Sequence, residues 1–276
     1  MKNSSKHHVK KQLDSPITYW GGKKLMARHI LPLIPEHTTY VEPFFGGGAI
    51  FFAKEQSHVE VINDLNKFVV NFFLQVKTNF DALQKRIQAT PFSRGLYKDA
   101  LLMYENPHLF SELEWAWAFW VLCNQGYAGK IGSWGYGTID NKRELSINRK
   151  RETFLEDFVK RLERTQIECA DAVRIIELRD RPNTFFYIDP PYFNANMGHY
   201  GGYTEEHFVN LLNQLAKTEG KFLLSTYPSE ILTKYAQENG WQQIEFEQVC
   251  PASSVRKRKI EVLTANYNIK KEGQPS

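Results

Sequence analysis

Phe185, Phe186, Tyr187 and Ile188 run directly into Asp189, Pro190, Pro191 and Tyr192, so an apolar segment ends abruptly in a carboxylate, two prolines and an aromatic ring. Proline lacks the N–H that a sheet ladder needs, and a strand reaching this point must stop. Strand C-termini of open α/β sheets are where ligands bind. An aromatic amine such as the exocyclic amino group of adenine is a poor nucleophile, because its lone pair is delocalised into the ring. A carboxylate and a backbone carbonyl without a competing N–H can each accept one amine hydrogen. That aims the lone pair at a methyl donor and stabilises positive charge as it develops. Tyr192 supplies a face for stacking on a base. The bland alternative is a strand followed by a rigid proline turn.

A second group lies upstream. Val41, Glu42, Pro43, Phe44 and Phe45 lead into Gly46, Gly47 and Gly48, after one predicted strand and before a helix. Glycines at such a turn let the backbone approach a bound cofactor, and the helix N-terminus attracts a carboxylate. The next strand ends in Asn63 and Asp64, at about the spacing from the turn where an acid meets ribose hydroxyls. Nicotinamide cofactors fit this pair nearly as well; Asp189 to Tyr192 tip the reading toward methyl transfer. Tyr19, Trp20, Gly21, Gly22 and Lys23 place rings and a lysine beside a helix start, which simple aromatic packing also explains. Asp171 follows another strand, where a carboxylate can bind an adenine amino group or merely cap a helix.

The elements that must position these groups alternate as strand and helix. Lys24–Ile34 reads as a short helix stopped by Pro35, Thr39–Val41 as a strand, Ala49–Lys54 as a helix and Val59–Ile62 as a buried strand. A long helix is expected from Leu65 to about Gln88. Residues 90–164 break the alternation, with helices at Glu112–Cys123 and Arg151–Arg164 around a glycine- and aromatic-rich loop, Asn124–Thr138. Alternation resumes with strands at Gln166–Cys169, Thr184–Ile188, Phe222–Ser225, Trp241–Val249 and Lys259–Tyr267, and helices at Ala172–Leu178, Glu205–Ala216 and Ser229–Asn239. This predicts an α/β fold, a doubly wound sheet whose last two strands form an antiparallel edge pair. The expected division is a disordered basic tail over 1–14, a catalytic domain from 15–89 and 165–270, and an inserted, mainly helical subdomain over 90–164.

With 42% hydrophobic and 24% charged residues in 276, the composition is that of an ordinary soluble globular protein. No run of 18 apolar residues marks a membrane span, and the N-terminus has no apolar stretch of a secretory signal. Cys123, Cys169 and Cys250 stand far apart, which argues against structural zinc and disulfides and makes a reducing cytoplasm the simplest home. A formal charge of +4 decides nothing alone. Its placement, in Arg256 to Lys259 and across Lys130 to Arg164, gives weak support to a nucleic-acid partner.

Taken together, the aromatic-Gly-Gly-Lys element, Glu42 to Gly48, Asn63-Asp64, the central insertion, Asp171, Asp189 to Tyr192 and the closing Glu261 to Tyr267 resemble the Dam-like, alpha-group DNA adenine methyltransferases. The order of the motifs is the alpha-group order, and the match covers nearly the whole chain. The resemblance implies a Rossmann-like methyltransferase sheet, S-adenosylmethionine as cofactor, double-stranded DNA as substrate, and no metal. It implies that Tyr19 or Trp20, with Lys23, touches the cofactor. Glu42, Pro43, Phe44, Gly46 and Gly48 would surround its methionine part, with Asp64 at the ribose, Asp171 at the adenine and Asp189 beside both ligands. Asp189, Pro190, Pro191 and Tyr192 would hold a flipped target base.

The insertion would then be the target-recognition region. Its candidate DNA contacts are Asn124, Gln125, Tyr127, Lys130, Trp134, Tyr136 and Arg143, joined by Arg256 and Arg258 from the basic run; amides read adenine and arginines guanine in the major groove. Phe193–Tyr203, with Gly198, Gly201 and Gly202, resembles a loop able to close over a flipped base. A cognate restriction endonuclease acting on the same site is a further expected partner, with no obligate protein partner and no membrane. The alternatives are methylation of a cytosine amino group, an RNA adenine or a glutamine amide, and a non-catalytic DNA-binding module of the same fold.

Overall fold

The computed structural model describes residues 13–136, 142–193, 202–249 and 258–269. In chain order these form α1 (Ala27–Ile30), β1 (Thr39–Glu42), α2 (Ala49–Ala53), β2 (Val59–Asn63), α3 (Lys67–Thr78), α4 (Phe80–Gln88), α5 (Arg94–Glu105) and α6 (Glu112–Gln125). Then follow α7 (Lys142–Glu152), α8 (Asp157–Leu162), β3 (Thr165–Glu168), α9 (Ala172–Arg179), β4 (Thr184–Ile188), α10 (Glu205–Leu215), β5 (Lys221–Thr226), α11 (Glu230–Asn239), β6 (Gln242–Val249) and β7 (Arg258–Ala265). Among the described residues the strands make one seven-stranded sheet, ordered β3-β2-β1-β4-β5-β7-β6. β1 to β5 are parallel, whereas β7 runs antiparallel to both β5 and β6. This is the α/β sheet with an antiparallel edge pair that the alternation predicts. The order reverses between β1 and β4, which makes their C-terminal ends the switch point where such sheets bind ligands.

All five residues of β4 are buried, as a central parallel strand covered on both faces requires. Side chains alternate between two cores with the period of two that a strand imposes. Tyr40, Ile62, Phe185, Tyr187, Leu223 and Leu263 join one, with α3 and α6. Val41, Val61, Phe186, Ile188, Phe222, Leu224 and Val262 join the other, with α9 and α10. By the same parity Glu42, Asp189, Ser225 and Glu261 all project to the first face.

Helix starts are fixed by side-chain caps. Asn66 caps α3, Ser93 α5, Asp171 α9 and Ser229 α11, while Ser111 and Glu114 form a reciprocal box at α6. Three expected helices differ in extent. Residues 24–34 give only the single turn of α1 and a 3₁₀ turn at Leu31–Leu33, where Pro32 disrupts α-helical bonding. The long helix to Gln88 is broken at Asn79, whose φ of −141° leaves the helical region, into α3 and α4. The expected helix over 151–164 is instead the end of α7 followed by α8.

The segment over residues 90–164 is helical but shares its core with the sheet. Every residue of α6 from Ala116 to Gln125 is buried, and Phe119 packs near Phe72 of α3 with centroids 6.1 Å apart. Arg161 of α8 reaches back to Glu60 of β2 in a buried ion pair and to the Phe51 carbonyl at 2.7 Å. No helix among the described residues is long and apolar enough to cross a membrane.

Candidate active site

Asn63, at the end of β2, ties three strand ends together. Its amide donates to Pro43 O (2.9 Å) beyond β1 and Ala170 O (3.0 Å) beyond β3, and accepts from Ala170 N (2.9 Å). Asp64 next to it fixes the glycine turn: Gly46 N donates to Oδ2 at 2.7 Å and Asn66 N to Oδ1 at 2.8 Å. Burial pushes its carboxyl up to about 6, against the opposing pull of those two N–H bonds. Each oxygen keeps a second lone pair for a ligand hydroxyl.

The glycines line the cavity and also make room for two rings. A Cβ on Gly46 (φ +49°) would meet the Tyr19 ring at 2.9 Å, and one on Gly47 the Tyr19 Cβ at 2.8 Å. The close approach that Gly46 and Gly47 permit is therefore that of Tyr19, which the turn seats in the cavity wall. Gly48 (φ +65°) makes room in the same way for the Phe45 ring.

Lys23, expected at the cofactor, lines the cavity and binds Asp189 and Tyr192 at the end of β4. Its Nζ lies 2.6 Å from Asp189 Oδ1, 2.6 Å from the Tyr192 hydroxyl and 3.4 Å from Glu261 Oε1. The physical reason is charge: a lysine this buried needs carboxylates around it. Burial alone would pull its pKa down, but Asp189 and Glu261 outweigh that and leave it raised. Asp189 moves up to about 6, chiefly through burial and opposed by Lys23. Tyr192 donates to Glu261 Oε1 at 2.6 Å, and its ring lies 4.2 Å from that of Tyr227. Glu42 accepts from the Tyr40 hydroxyl at 2.7 Å, and burial pushes its carboxyl up to about 8.

Tyr19, Lys23, Glu42, the Gly46 turn, Asp64, Asp189 and Tyr192 line one cavity of about 980 Å³, together with Trp20, Pro43, Asp171, Pro190 and Pro191. Phe44 and Tyr203 meet edge to face in its wall with centroids 6.2 Å apart. Glu42, Asp64 and Asp171 stand at the ends of three adjacent strands; with strands about 4.8 Å apart, they span roughly 10 Å. An acid near each end, an apolar ring slot and a glycine turn suit a nucleoside joined to an amino acid. Asp171 caps α9, accepting from Arg174 N at 3.1 Å, and it also lines the cavity.

The insertion departs further from expectation. Asn124 accepts from Thr18 N (3.0 Å) and donates to Trp120 O (3.1 Å), while Gln125 accepts from Ser93 N (3.2 Å) and donates to Pro91 O (2.9 Å). Both are buried and their amides satisfy backbone, so they join loops to α6 rather than face a duplex. Trp134 stacks on Phe92 at 4.6 Å and is a packing residue too. Tyr127 and Tyr136 are exposed, with the guanidinium groups of Arg143 and Arg94 each 5.6 Å from their ring centroids. Lys130 is half-buried on the same loop. Arg256, residues 1–12 of the expected tail and residues 194–201 of the expected closing loop lie outside the described residues. Arg258 is placed only by its backbone, opposite Val249.

Ser225, Tyr227 and Glu261 adjoin these groups, although the sequence marks Glu261 only as the start of the closing motif and gives none of the three a role. Two of them carried a signal: Ser225 and Glu261 are polar residues at core-facing positions of apolar strands.

The family pattern described as D12 class N6 adenine-specific DNA methyltransferase matches residues 19–249. The chain is 26% identical over 273 residues to the type II methyltransferase M1.LlaDCHI of Lactococcus lactis subsp. cremoris, covering 91% of this chain and 95% of that one. It is 23% identical over 250 residues to a DNA N-6-adenine-methyltransferase of Escherichia phage P1, covering 84% of this chain and 32% of the phage protein. Against modification methylase StsI of Streptococcus sanguinis it is 26% identical over 204 residues, 67% of this chain and 29% of that one. The chain therefore spans about a third of the length of the latter two.

Proposed function

Since this chain belongs to the D12 class N6 adenine-specific DNA methyltransferases, we propose that its large cavity receives both reactants of that reaction, S-adenosylmethionine and a target adenine flipped from duplex DNA. The enzyme is an adenine-specific DNA methyltransferase, and a methyltransferase of this family and fold implies S-adenosylmethionine as donor. The observation that carries the assignment of the site is the shared cavity: Asp189 to Tyr192 at the end of β4 open into the same space as the Gly46 turn and Asp64.

Bound there, the cofactor supplies an electrophilic methyl group on a sulfonium. Asp64 would hold the ribose hydroxyls, Asp171 and the Phe44–Tyr203 slot the adenine ring, and Glu42 and the turn the methionine end. Asp189 and a backbone carbonyl beside Pro190 would accept the two hydrogens of the target amine, orienting its lone pair. Counting Lys23 as positive and Asp189 and Glu261 as negative, the buried group carries a net charge of −1. Positive charge developing on the attacking nitrogen therefore meets a stabilising field. The base would stack against Tyr192. No covalent intermediate is called for, and neither Cys123 nor Cys169 lines the cavity. The exposed Tyr127 and Tyr136 of the insertion, with the half-buried Arg143 beside Tyr127, are the proposed contacts to DNA, and a cognate endonuclease is the proposed partner.

Incubation with methyl-labelled cofactor and duplex DNA, followed by digestion to nucleosides, tests this reading. Label is expected in N6-methyl-2′-deoxyadenosine; label confined to cytosine, to RNA or to protein would overturn it.

A further inference from the structure

Glu261 lies on β7, beyond the residues matched by the family pattern. Its side chain is only 6% exposed, and a buried carboxylate requires compensation. One oxygen, Oε1, accepts from the Tyr192 hydroxyl at 2.6 Å and from the Ser225 hydroxyl at 2.6 Å, and faces Lys23 Nζ at 3.4 Å. Lys23 in turn bridges Tyr192 and Asp189, each at 2.6 Å. Three strands and the segment before α1 thus meet at this oxygen.

We infer that Glu261 is a positioning residue for methyl transfer, holding the Tyr192 ring and the Lys23 ammonium in the places from which they orient and balance Asp189. The inference rests on the proposed role of Asp189 to Tyr192. Tyr192 follows two prolines at the end of a strand, and its ring plane is not fixed by helix or ladder. Its hydroxyl is pinned by Glu261 at one end and its ring is backed by Tyr227, so the face offered to a base is set from β7. Ser225 keeps the carboxylate from rotating. Glu261 also gives the pocket its excess negative charge; without it, Lys23 and Asp189 cancel.

The same geometry has a pH signature. Asp189 is faced by Lys23, by Glu261 of β7, by Tyr187 of its own strand, by Glu42 of β1 and by Tyr192. Burial raises its pKa first, and the like charge of Glu261 adds to that. Removing that charge moves the acid limb of the rate profile to lower pH.

The test compares E261Q, Y192F and the double variant of the full chain in single-turnover methylation across pH, with calorimetry for cofactor and DNA. E261Q is expected to lose about tenfold or more in rate while both dissociation constants stay within about threefold. Its acid limb should shift downward. Y192F, which leaves Glu261 in place, should lose at least about threefold, and the double variant should be no slower than E261Q by more than about twofold, because the two act as one unit. A rate for E261Q within twofold of wild type, a loss confined to affinity, or strictly multiplicative losses in the double variant would overturn the inference. So would full activity in Y192F, even if E261Q failed to fold. Wild-type labelling of adenine in the same runs separates the two readings. Its absence sinks the functional reading together with this one; its presence beside unaffected variants sinks the positioning role alone.

Discussion

The C-terminal edge of the sheet and the helical segment over residues 90–164 treat polar side chains in opposite ways. At the edge, Glu42, Asp64, Asp171 and Asp189 stand where strands end, and all four face one cavity. In the helical segment, Asn124 and Gln125 carry the side chains best suited to reading a base, yet both point inward to backbone groups. The difference lies in what precedes each residue. A strand end projects side chains past the covered core into the crevice above it. The end of α6 is still surrounded by protein, so a polar group there must find a partner inside.

The sharpest break of this comparison is at Asp189. Asp189→Ala is expected to lower single-turnover methylation by about a hundredfold or more, as removal of one preorganised transition-state acceptor commonly does, while cofactor affinity stays within about tenfold. In the wild type, burial pushes this carboxyl up to about 6. In the proposed role the amine acceptor is the ionised form, so the rate should be present above that pH and fall as pH drops through it. Near-normal turnover in the variant would remove Asp189 from the chemistry.

Asp64 is the next test, at the other side of the same cavity. A carboxylate on ribose hydroxyls makes charge-assisted bonds of about 1.5–3 kcal/mol each. Asp64→Ala should therefore weaken cofactor binding by roughly tenfold or more, with DNA affinity nearly unchanged. Because the same carboxylate holds Gly46 N and Asn66 N, part of that loss will come from loosening the turn. Unchanged affinity by calorimetry would show that the ribose lies elsewhere.

What the sequence made legible follows the same division. Asp189 to Tyr192, the glycine turn and Asp64 could be read because each follows an apolar strand, and strand ends in a parallel sheet converge. The partner of Lys23 was not legible. It depends on Glu261, 238 positions away, coming beside Asp189 through an antiparallel strand inserted next to β5. The glycines were legible as a tight turn but not as the seat of Tyr19. In α6 there was no apolar stripe to separate inside from outside, since the whole end of the helix is buried, and its terminal amides looked exposed by type alone. Tyr136, which does reach solvent, lies beside Arg94, which nothing in its local sequence marks.

Gln125→Ala approaches the comparison from the helical side. It leaves Ser93 N and Pro91 O without their buried partner, a loss of about 1–3 kcal/mol in stability. The melting temperature should fall by a few degrees, while sequence preference on DNA and the rate at saturating substrate stay as they were. A relaxed preference with an unchanged melting temperature would return Gln125 to the recognition surface and undo the contrast.

The smallest effect is expected on α7, which has five basic residues against two acidic ones. Lys150 and Arg151 bind backbone carbonyls of Ser15 and Thr90, at 2.6 and 2.9 Å, and hold the helix in place. Lys142 and Arg149 are exposed and seven positions apart, so they share one outward face. If that face lies along a phosphate backbone, replacing both with alanine should weaken binding to all duplexes about equally, by a few-fold. The slope of log affinity against log salt should become shallower by about one for each phosphate that is no longer neutralised. The rate at saturating DNA should not change, because neither residue reaches the cavity. Sequence preference should survive, since phosphate contacts position a protein and base contacts specify. An unchanged slope would make this a merely solvated face and shift the duplex toward Arg94 and Tyr136. A relaxed preference would instead put Lys142 or Arg149 at a base edge, so that the helical segment would read DNA through the outer face of α7 and not through the loop that the amides of α6 hold in place.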